Sequence, residues 1–405
     1  MATTVLTAKD GRDARDLWDL DASFRHLNHG SFGAVPTAAL EHQAQHRLAM
    51  EKNPVRWFST LVPRLEGLRA DVAERLATPA EDLVLVANAS AGVSVVFRAV
   101  AQGAPVHVVV TDHGYGAVTM GAERVARETG GTLTTLRVPL DATDDDVLQI
   151  FADHLGSHQT DLVVVDQVTS ATARQFPAAE IARLARRHGA LVLVDGAHAP
   201  GALADPVVRE ADVWVGNLHK FWCAPRGTAV LVRNNPDLDL FPLVDSWGGH
   251  EPYPARFDHQ GTVDVTSWCS AAFTYDHLEQ QLGWDAIRDH GAAMMQHAEQ
   301  QLGSALRDLG VQDPVADVGH AFGPMRLFRL PGQRVWDHAG VDALRVPFME
   351  ATGCIGAFTE FHGEGFLRVS AAPYTTEEDI DEMASTALPI LAEIIGRRPS
   401  ERTSR

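Results

Sequence analysis

The stretches LVLVDGAH, residues 191–198, and VWVGNLHK, residues 213–220, decide the fold of this chain. Each begins with an apolar run of the length expected for a buried β-strand and then changes to polar residues. Asp195 follows the first run directly, and Lys220 closes the second stretch. The pattern predicts two strands of one open sheet whose ends carry a carboxylate and an amine.

A carboxylate and a lysine at such strand ends are the groups that a pyridoxal 5'-phosphate (PLP) site requires. The lysine amine forms a Schiff base with the cofactor aldehyde, and the carboxylate keeps the ring nitrogen protonated, so that the ring withdraws electrons from Cα of an amino acid. The sequence therefore predicts a PLP enzyme with Lys220 and Asp195 as catalytic residues.

Further apolar runs, separated by helical patterns, flank these two stretches between about residues 80 and 235. They cover residues 83–86, 106–110, 133–138, 162–165, 191–194, 213–215 and 229–232. Near-continuous apolar strands that alternate with helices predict a mostly parallel sheet covered on both faces, in an α/β fold. Ligands bind such sheets beyond the carboxyl ends of the strands.

Polar residues follow five of the predicted strands. They are Asn88 and Ser90, Asp112 and His113, Asp166 and Thr169, Asp195 and His198, and Asn217 to Lys220. The stretch NASAG, residues 88–92, precedes a helical pattern, so the free N–H groups of Asn88, Ala89 and Ser90 are candidates for binding the phosphate. Asn and Ser are also common helix caps, which leaves a purely structural role open.

Length and composition indicate a two-domain enzyme. The chain has 405 residues, 45% of them hydrophobic, which is enough to fill two cores. A net charge of -19 disfavours nucleic acid or an anionic membrane as the main partner. Three cysteines without a CxxC pair, together with the lack of a signal or transmembrane pattern, favour a cytoplasmic protein.

The composition changes after Pro242. Residues 247–254 predict a long loop, and residues 270–302 predict one long helix. Three strands are expected at 325–330, 355–361 and 366–370, before a capped terminal helix at 376–395. We expect an N-terminal segment 1–25, a large domain 26–274, a smaller α+β domain 275–396 and a tail 397–405.

Motifs along nearly the whole chain resemble the class V aminotransferase superfamily of fold type I PLP enzymes, and within it the isopenicillin N epimerase-like group. The matching stretches are LNHGSFG (27–33), NPVR (53–56), TDHGYGA (111–117), DQVTS (166–170), VDGAHAPG (194–201), GNLHK (216–220), APRG (224–227), GTVD (261–264) and RVSA (368–371).

The resemblance implies a role for each polar strand end. Lys220 forms the Schiff base, and Asp195 pairs with the ring nitrogen. His198, with Thr169 or Ser170, contacts the phenolic oxygen, while His113 or Tyr115 stacks on the outer face of the ring. Asn217, His219 and Ser90 bind the phosphate. Asp166 is also expected to bind the cofactor.

The resemblance also implies a homodimer with shared active sites, because Thr262 reaches the phosphate of the other subunit. Arg368 binds the substrate carboxylate, for which a planar guanidinium is suited. Asn28, Gly30, Ser31 and Arg56 are expected beside the substrate. Two departures, Gly114 and Gln167 in place of an acidic residue and a histidine, imply a slightly different set of hydrogen bonds to the cofactor.

Two further groups have structural interpretations. Cys354 begins an apolar strand, and nothing nearby in the sequence lowers its pKa, so a buried inert thiol is favoured over the nucleophile of a cysteine desulfurase. His42 and His46 share a helix face, but no glutamate follows His42 as a metalloprotease helix requires. A solvated face is favoured over a metal site.

The expected reaction begins with removal of the Cα proton by Lys220. Elimination from an S-conjugated cysteine is narrowly favoured, because the group's lyases need no second strong base. Epimerisation is the close alternative, with His113 or Tyr115 as the acid on the far face, and transamination is also open. A nicotinamide dehydrogenase lacks its GxGxxG motif here. A silent PLP-fold binding protein is disfavoured by Lys220, Asp195 and Arg368 together.

Overall fold

The computed structural model describes residues 5–332 and 335–397; part of the predicted tail, residues 398–405, lies outside them. The strands, β1 to β12 in chain order, are Arg25–His26, Leu83–Val86, Val108–Thr111, Leu133–Leu136, Leu162–Asp166, Leu191–Asp195, Val213–Asn217, Ala229–Arg233, Met325–Arg329, Cys354–Ile355, Ala357–Phe361 and Glu364–Ser370.

The α-helices, α1 to α14, lie between and after these strands. They are Thr37–Lys52, Pro54–Ser59, Leu61–Arg75, Ala89–Val100, Gly116–Thr129, Asp144–Leu155, Ala178–Arg187, Thr266–Cys269, Ala271–Gln281, Trp284–Asp308, His338–Asp342, Arg345–Thr352, Glu377–Glu382 and Leu388–Arg397. Among the residues described, no helix is long and apolar enough to cross a membrane.

Seven strands form one sheet in the order β2-β8-β7-β6-β5-β3-β4. Strand β8 pairs antiparallel with both of its neighbours, and the remaining pairs from β7 to β4 are parallel. The predicted mostly parallel sheet is thus confirmed. Because all strands except β8 point the same way, β2, β3, β5, β6 and β7 end at one edge, which carries the predicted site residues.

Both faces of this sheet are buried, as near-continuous apolar strands require. Alternate residues of one strand enter different cores: Val192 and Val194 of β6 face one cluster, and Leu193 faces the other. This alternation fixes the orientation of each strand, and with it the face on which its last side chain lies.

Contacts divide the chain into two units. One comprises residues 33–169 and 175–280, and the other comprises 1–32, 170–174 and 281–405. The second unit thus includes the N-terminal residues and a short segment after β5, which the predicted ranges 1–25, 26–274 and 275–396 did not group together. Chain segments distant in sequence share its core: Leu27 packs in one cluster with Phe328 and Leu391.

The second unit contains the antiparallel sheet β11-β12-β9. Its three strands correspond to the strands predicted at 325–330, 355–361 and 366–370. The expectation of one helix over 270–302 was wrong, because α9 ends at Gln281 and α10 begins at Trp284. Gly283 between them has a φ of 87°, which lies outside helical space. The terminal helix is confirmed: α13 continues through a π-helical segment, Met383–Ala387, into α14, and Thr376 and Asp379 form its capping box.

Candidate active site

Lys220 lies just beyond β7 at the polar edge of the seven-stranded sheet. Its Nζ is 3.1 Å from Nε2 of His198, which follows β6 and is buried. The two groups meet because β6 and β7 are parallel neighbours whose ends lie side by side. Lys220 itself is half-buried, as an amine that must react with a ligand requires.

Two carboxyl groups end adjacent strands beside it. Asp166 closes β5, Asp195 closes β6, and their Cα atoms are partners in the parallel register. Both residues are buried, and Asp195 accepts a hydrogen bond of 2.9 Å from the Ala197 N–H. Burial raises the pKa of both groups, and the Asp195 charge raises that of Asp166 further.

The N-terminus of α4 lies at the same edge. The Asn217 side-chain oxygen accepts from the Ala89 N–H at 2.8 Å, and the Asn88 side chain accepts from the Ala91 N–H at 2.8 Å. Ser90, which lies between Ala89 and Ala91, is exposed. Asn88 and Asn217 therefore orient the helix start, and Ser90 is the residue of this turn best placed to bind a phosphate.

His219 is held close to the backbone of two other segments. Its Nδ1 donates to the Thr228 carbonyl oxygen at 3.1 Å, and burial lowers its pKa to about 4. A Cβ on Gly33 would lie 2.5 Å from the His219 carbonyl oxygen and 2.6 Å from that of Lys220. Glycine at position 33 thus allows the backbone to pass against the lysine, a role that sequence reasoning missed.

Either His113 or Tyr115 was predicted to stack on the cofactor, and the two side chains lie in different surroundings. His113 Nε2 donates to the Val138 carbonyl oxygen at 3.0 Å, its ring packs edge-on against Phe176, and its side chain is 0% exposed. Face-to-face stacking needs one accessible ring face, which His113 does not offer. Tyr115 is 46% exposed, and which of the two residues stacks on the cofactor stays a prediction.

Gln167, the other departure noted in the sequence, has a packing role. Its Oε1 accepts from the Trp214 indole N–H at 2.9 Å, and both residues are buried. A buried indole N–H needs an acceptor, and Gln167 supplies it. Thr169 is fully buried nearby in sequence, and its predicted contact with the cofactor stays a prediction.

Arg368 is the centre of a polar cluster in the second unit. One of its terminal nitrogens donates to Asn28 Oδ1 at 3.1 Å and Ser31 Oγ at 2.7 Å, and the other to Ser170 Oγ at 3.3 Å. Gly30 N–H is held by Ser370 Oγ at 2.8 Å. The cluster joins three residues predicted to bind substrate, and it also recruits Ser170, which was predicted at the cofactor.

The Arg368 guanidinium is buried among neutral partners. Burial lowers its pKa to about 10, and the Arg345 charge acts in the same direction. Its Nε has no hydrogen-bond partner among the described residues. A buried cation whose bonded partners are all neutral is suited to an anionic ligand, as the predicted carboxylate role requires.

Arg56 and Thr262, the remaining predicted residues, are exposed. Arg56 lines a cavity of about 450 Å³ together with Trp57, Arg64 and Cys269. The Arg64 guanidinium lies 3.7 Å from the centre of the Trp57 ring. Their roles toward substrate and partner subunit stay predictions.

The two structural interpretations from the sequence can also be compared with the structure. Cys354 is fully buried, and burial raises the pKa of its thiol to about 11, so it is the inert cysteine expected. His42 bonds Ser270 Oγ at 3.0 Å and stacks on Phe273, so this face is half-buried and not solvated. Among the described residues, no cluster suited to a metal ion occurs.

The sheet edge fits PLP. Lys220 supplies an accessible amine, Asp195 a buried carboxylate on the adjacent strand, and Ser90 an exposed helix start for the phosphate. The fold and these residues define a PLP-dependent enzyme of fold type I.

The family follows from comparison with known proteins. Residues 36–319 match the profile of the aminotransferase class-V family, and the chain belongs to that family. It is 30% identical over 400 residues to isopenicillin N epimerase of Streptomyces clavuligerus, covering 94% of this chain and 98% of that protein. This confirms the resemblance recognised in the motifs.

Other relatives carry out carbon–sulfur chemistry according to their names. A probable chloroplastic L-cysteine desulfhydrase of Arabidopsis thaliana is 29% identical over 272 residues, covering 58% of this chain and 57% of that protein. The cystine C-S lyase C-DES superimposes with a TM-score of 0.73 at 20% identity, covering 92% of this chain and 98% of that one. At this identity the superposition shows the fold, and the expected fold type I is confirmed.

Proposed function

We propose that this enzyme is a β-eliminating C–S lyase that acts on an S-substituted cysteine. Membership of the family establishes a PLP-dependent activity at an amino acid. The C–S lyase reaction is the further step that is proposed. The observation that supports it is the enclosure of His113, whose buried side chain makes it the weaker of the two candidate acids on the far face. Elimination needs one acid–base group on the lysine side, whereas epimerisation needs a second on the opposite side.

Substrate binding is assigned to the Arg368 cluster. The α-carboxylate of an amino acid provides the negative charge that the buried guanidinium lacks, and Asn28 and Ser31 orient that guanidinium. The interaction is charge-assisted and excluded from water, so its removal weakens substrate binding far more than an exposed ion pair would.

Lys220 is the base. PLP bound at this edge withdraws electrons from substrate Cα, which makes the Cα proton acidic. Lys220 Nζ takes that proton, and His198 Nε2 at 3.1 Å is placed to accept a hydrogen bond from the ammonium that results. The electron pair left at Cα forms the Cα=Cβ double bond as the Cβ–S bond breaks with its pair on sulfur, and Lys220 returns the proton to the leaving thiolate. Hydrolysis of the released enamine by water then gives pyruvate and ammonia.

Cys354 separates this proposal from a cysteine desulfurase. A desulfurase needs an accessible thiolate to accept sulfur, whereas Cys354 is fully buried with a pKa raised to about 11. Replacement of Cys354 by Ser is therefore expected to preserve the release of the sulfur product.

Epimerisation remains the second candidate, and Tyr115 favours it. Its side chain is 46% exposed and carries a hydroxyl that can donate a proton. The full-length similarity to isopenicillin N epimerase supports the same candidate.

The deciding experiment incubates the enzyme in deuterated water with a panel of cysteine S-conjugates and simple amino acids. Elimination predicts pyruvate and a thiol in equal amounts, whereas Cα deuteration with inversion and without pyruvate overturns it in favour of epimerisation. Tyr115→Phe is the matched variant. It preserves pyruvate release if Lys220 alone handles the proton, and it abolishes inversion if Tyr115 is the second acid.

A cytoplasmic homodimer is part of the proposal. The supporting features are the cysteine content, the exposed Thr262 and the exposed apolar residues of the first unit.

A further inference from the structure

Asp166 is a buried carboxyl group at the active-site edge for which the lysine chemistry gives no role. It ends β5 in register with Asp195 of β6, so the two Cα atoms lie about 4.8 Å apart and the side chains project to the same face. Asp166 is 6% exposed and Asp195 is 4% exposed. Water therefore does little to separate the two groups.

Two negative charges at this separation and depth are unfavourable, so one of the pair retains a proton. Both carboxyl groups accept backbone N–H groups, Asp195 from Ala197 and Asp166 from Tyr115, so the backbone does not distinguish them. Asp195 is the better anion because a protonated ring nitrogen is its partner in the cofactor complex. Lys220 is the cation whose charge acts on both carboxyl groups. The proton is thus left to Asp166.

Asp166 also contacts the segment that carries the exposed tyrosine. The backbone N–H of Tyr115 donates to the Asp166 carboxyl group. A Cβ on Gly114 would lie 3.6 Å from Asp166 Oδ2, an ordinary van der Waals distance, so the Gly114 backbone lies beside the carboxyl group.

We propose that Asp166 is a positioning residue that carries a proton in the working enzyme, anchors the Gly114–Tyr115 backbone at the end of the sheet, and leaves Asp195 as the single ionised carboxylate. It acts through Tyr115 and Asp195 and does not itself exchange a proton with substrate. The inference rests on PLP binding at Lys220 and is independent of the choice between elimination and epimerisation.

The test compares Asp166→Asn, Asp166→Ala and Asp195→Asn in the holoenzyme without substrate. The readouts are the dissociation constant of PLP and the pH dependence of its visible absorption band. Asparagine matches a protonated aspartate in shape, charge and acceptor oxygen, so Asp166→Asn should keep the absorption midpoint within about 0.3 pH units of the wild type. Alanine lacks the acceptor for Tyr115 N–H, so Asp166→Ala should weaken PLP binding about tenfold.

An ionised Asp166 gives a different result. Loss of a negative charge beside Lys220 would move the absorption midpoint of Asp166→Asn to lower pH by about one unit or more, and this overturns the proposal. Unchanged PLP affinity in Asp166→Ala overturns the anchoring role. Asp195→Asn shows the size of effect expected when the ionised member is removed.

A measurement on wild-type protein covers the case in which the variants do not fold. In ¹³C-aspartate-labelled holoenzyme at neutral pH, the infrared spectrum should contain the C=O band of a buried protonated carboxyl group. Complete absence of such a band at neutral pH contradicts a proton on Asp166. Because no substrate is present in these experiments, their failure would leave the proposed lyase reaction untouched.

Discussion

At the scale of single residues, Lys220 carries the covalent link to the cofactor. The chain contains three lysines, Lys9, Lys52 and Lys220, so borohydride reduction has few possible targets. We expect Lys220→Ala to lose the visible band of enzyme-bound PLP, because neither Lys9 nor Lys52 follows a strand of the seven-stranded sheet. The exposed Lys52→Ala is the matched control and should keep the band. Peptide mapping that locates the label on Lys9 or Lys52 contradicts the assignment.

Arg368 determines substrate affinity at the same scale. Arg368→Ala removes the buried cation, so KM should rise by about 100-fold while PLP affinity changes little, because the proposed partner is the substrate carboxylate. Arg368→Lys keeps the charge but loses the planar guanidinium with its paired donors. It should therefore recover only part of the substrate affinity that Arg368→Ala loses. Steady-state kinetics and PLP titration check both variants, and weaker PLP binding would show that the arginine is misplaced.

His219 makes the stability of the cofactor-free protein pH-dependent. Its pKa is lowered by burial to about 4 from the ordinary 6.5. Between pH 4 and 6.5, His219 is therefore protonated in the unfolded chain but neutral in the folded protein. The free energy of unfolding should therefore fall as pH drops from 6.5 toward 4, by up to roughly 3 kcal/mol. Urea titrations of wild type and His219→Gln measure this; equal slopes against pH would exclude His219 as the source.

At the scale of elements, the start of α4 is held by one buried and one exposed asparagine. Asn217→Ala leaves the Ala89 N–H without its acceptor in the interior and should cost about 1–3 kcal/mol of unfolding free energy. Asn88→Ala removes a cap that water can replace and should cost less, about 1 kcal/mol. Chemical denaturation ranks the two, and a larger loss for Asn88→Ala would contradict the capping role of Asn217.

The elements also show how far local sequence predicts structure. The apolar runs at residues 83–86, 162–165 and 213–215 predict their strands because every side chain in them is buried, on both faces of the sheet. The prediction of one helix over 270–302 was wrong at Gly283. The apolar periodicity continues past this residue and therefore does not reveal the break between the two helices. A glycine at that position was the signal that could have located the break.

At the scale of the whole molecule, the proposed homodimer predicts an apolar interface on the first unit. Leu48, Val55 and Trp247 are 71%, 82% and 94% exposed, which makes them candidates for this interface. The double variant Leu48→Glu/Val55→Glu should reduce the dimer to monomer and weaken PLP binding, because Thr262 would no longer reach the second phosphate. Light scattering reads the mass, and Val335→Glu, 86% exposed on the other unit, is the control. If the variant with both glutamates remains a dimer, this surface is excluded as the dimer interface.

The sequence by itself determined the mostly parallel sheet, and it predicted Lys220, Asp195 and Arg368 as the residues that bind cofactor and substrate, together with a buried Cys354. These follow from local information: apolar runs mark strands, and the residue after a parallel strand lies at the ligand edge. Only the tertiary structure showed the enclosure of His113, joined Ser170 to Arg368, and paired Asp166 with Asp195. Those outcomes depend on strand register and side-chain enclosure, which arise from contacts between segments far apart in the chain and so leave no local pattern.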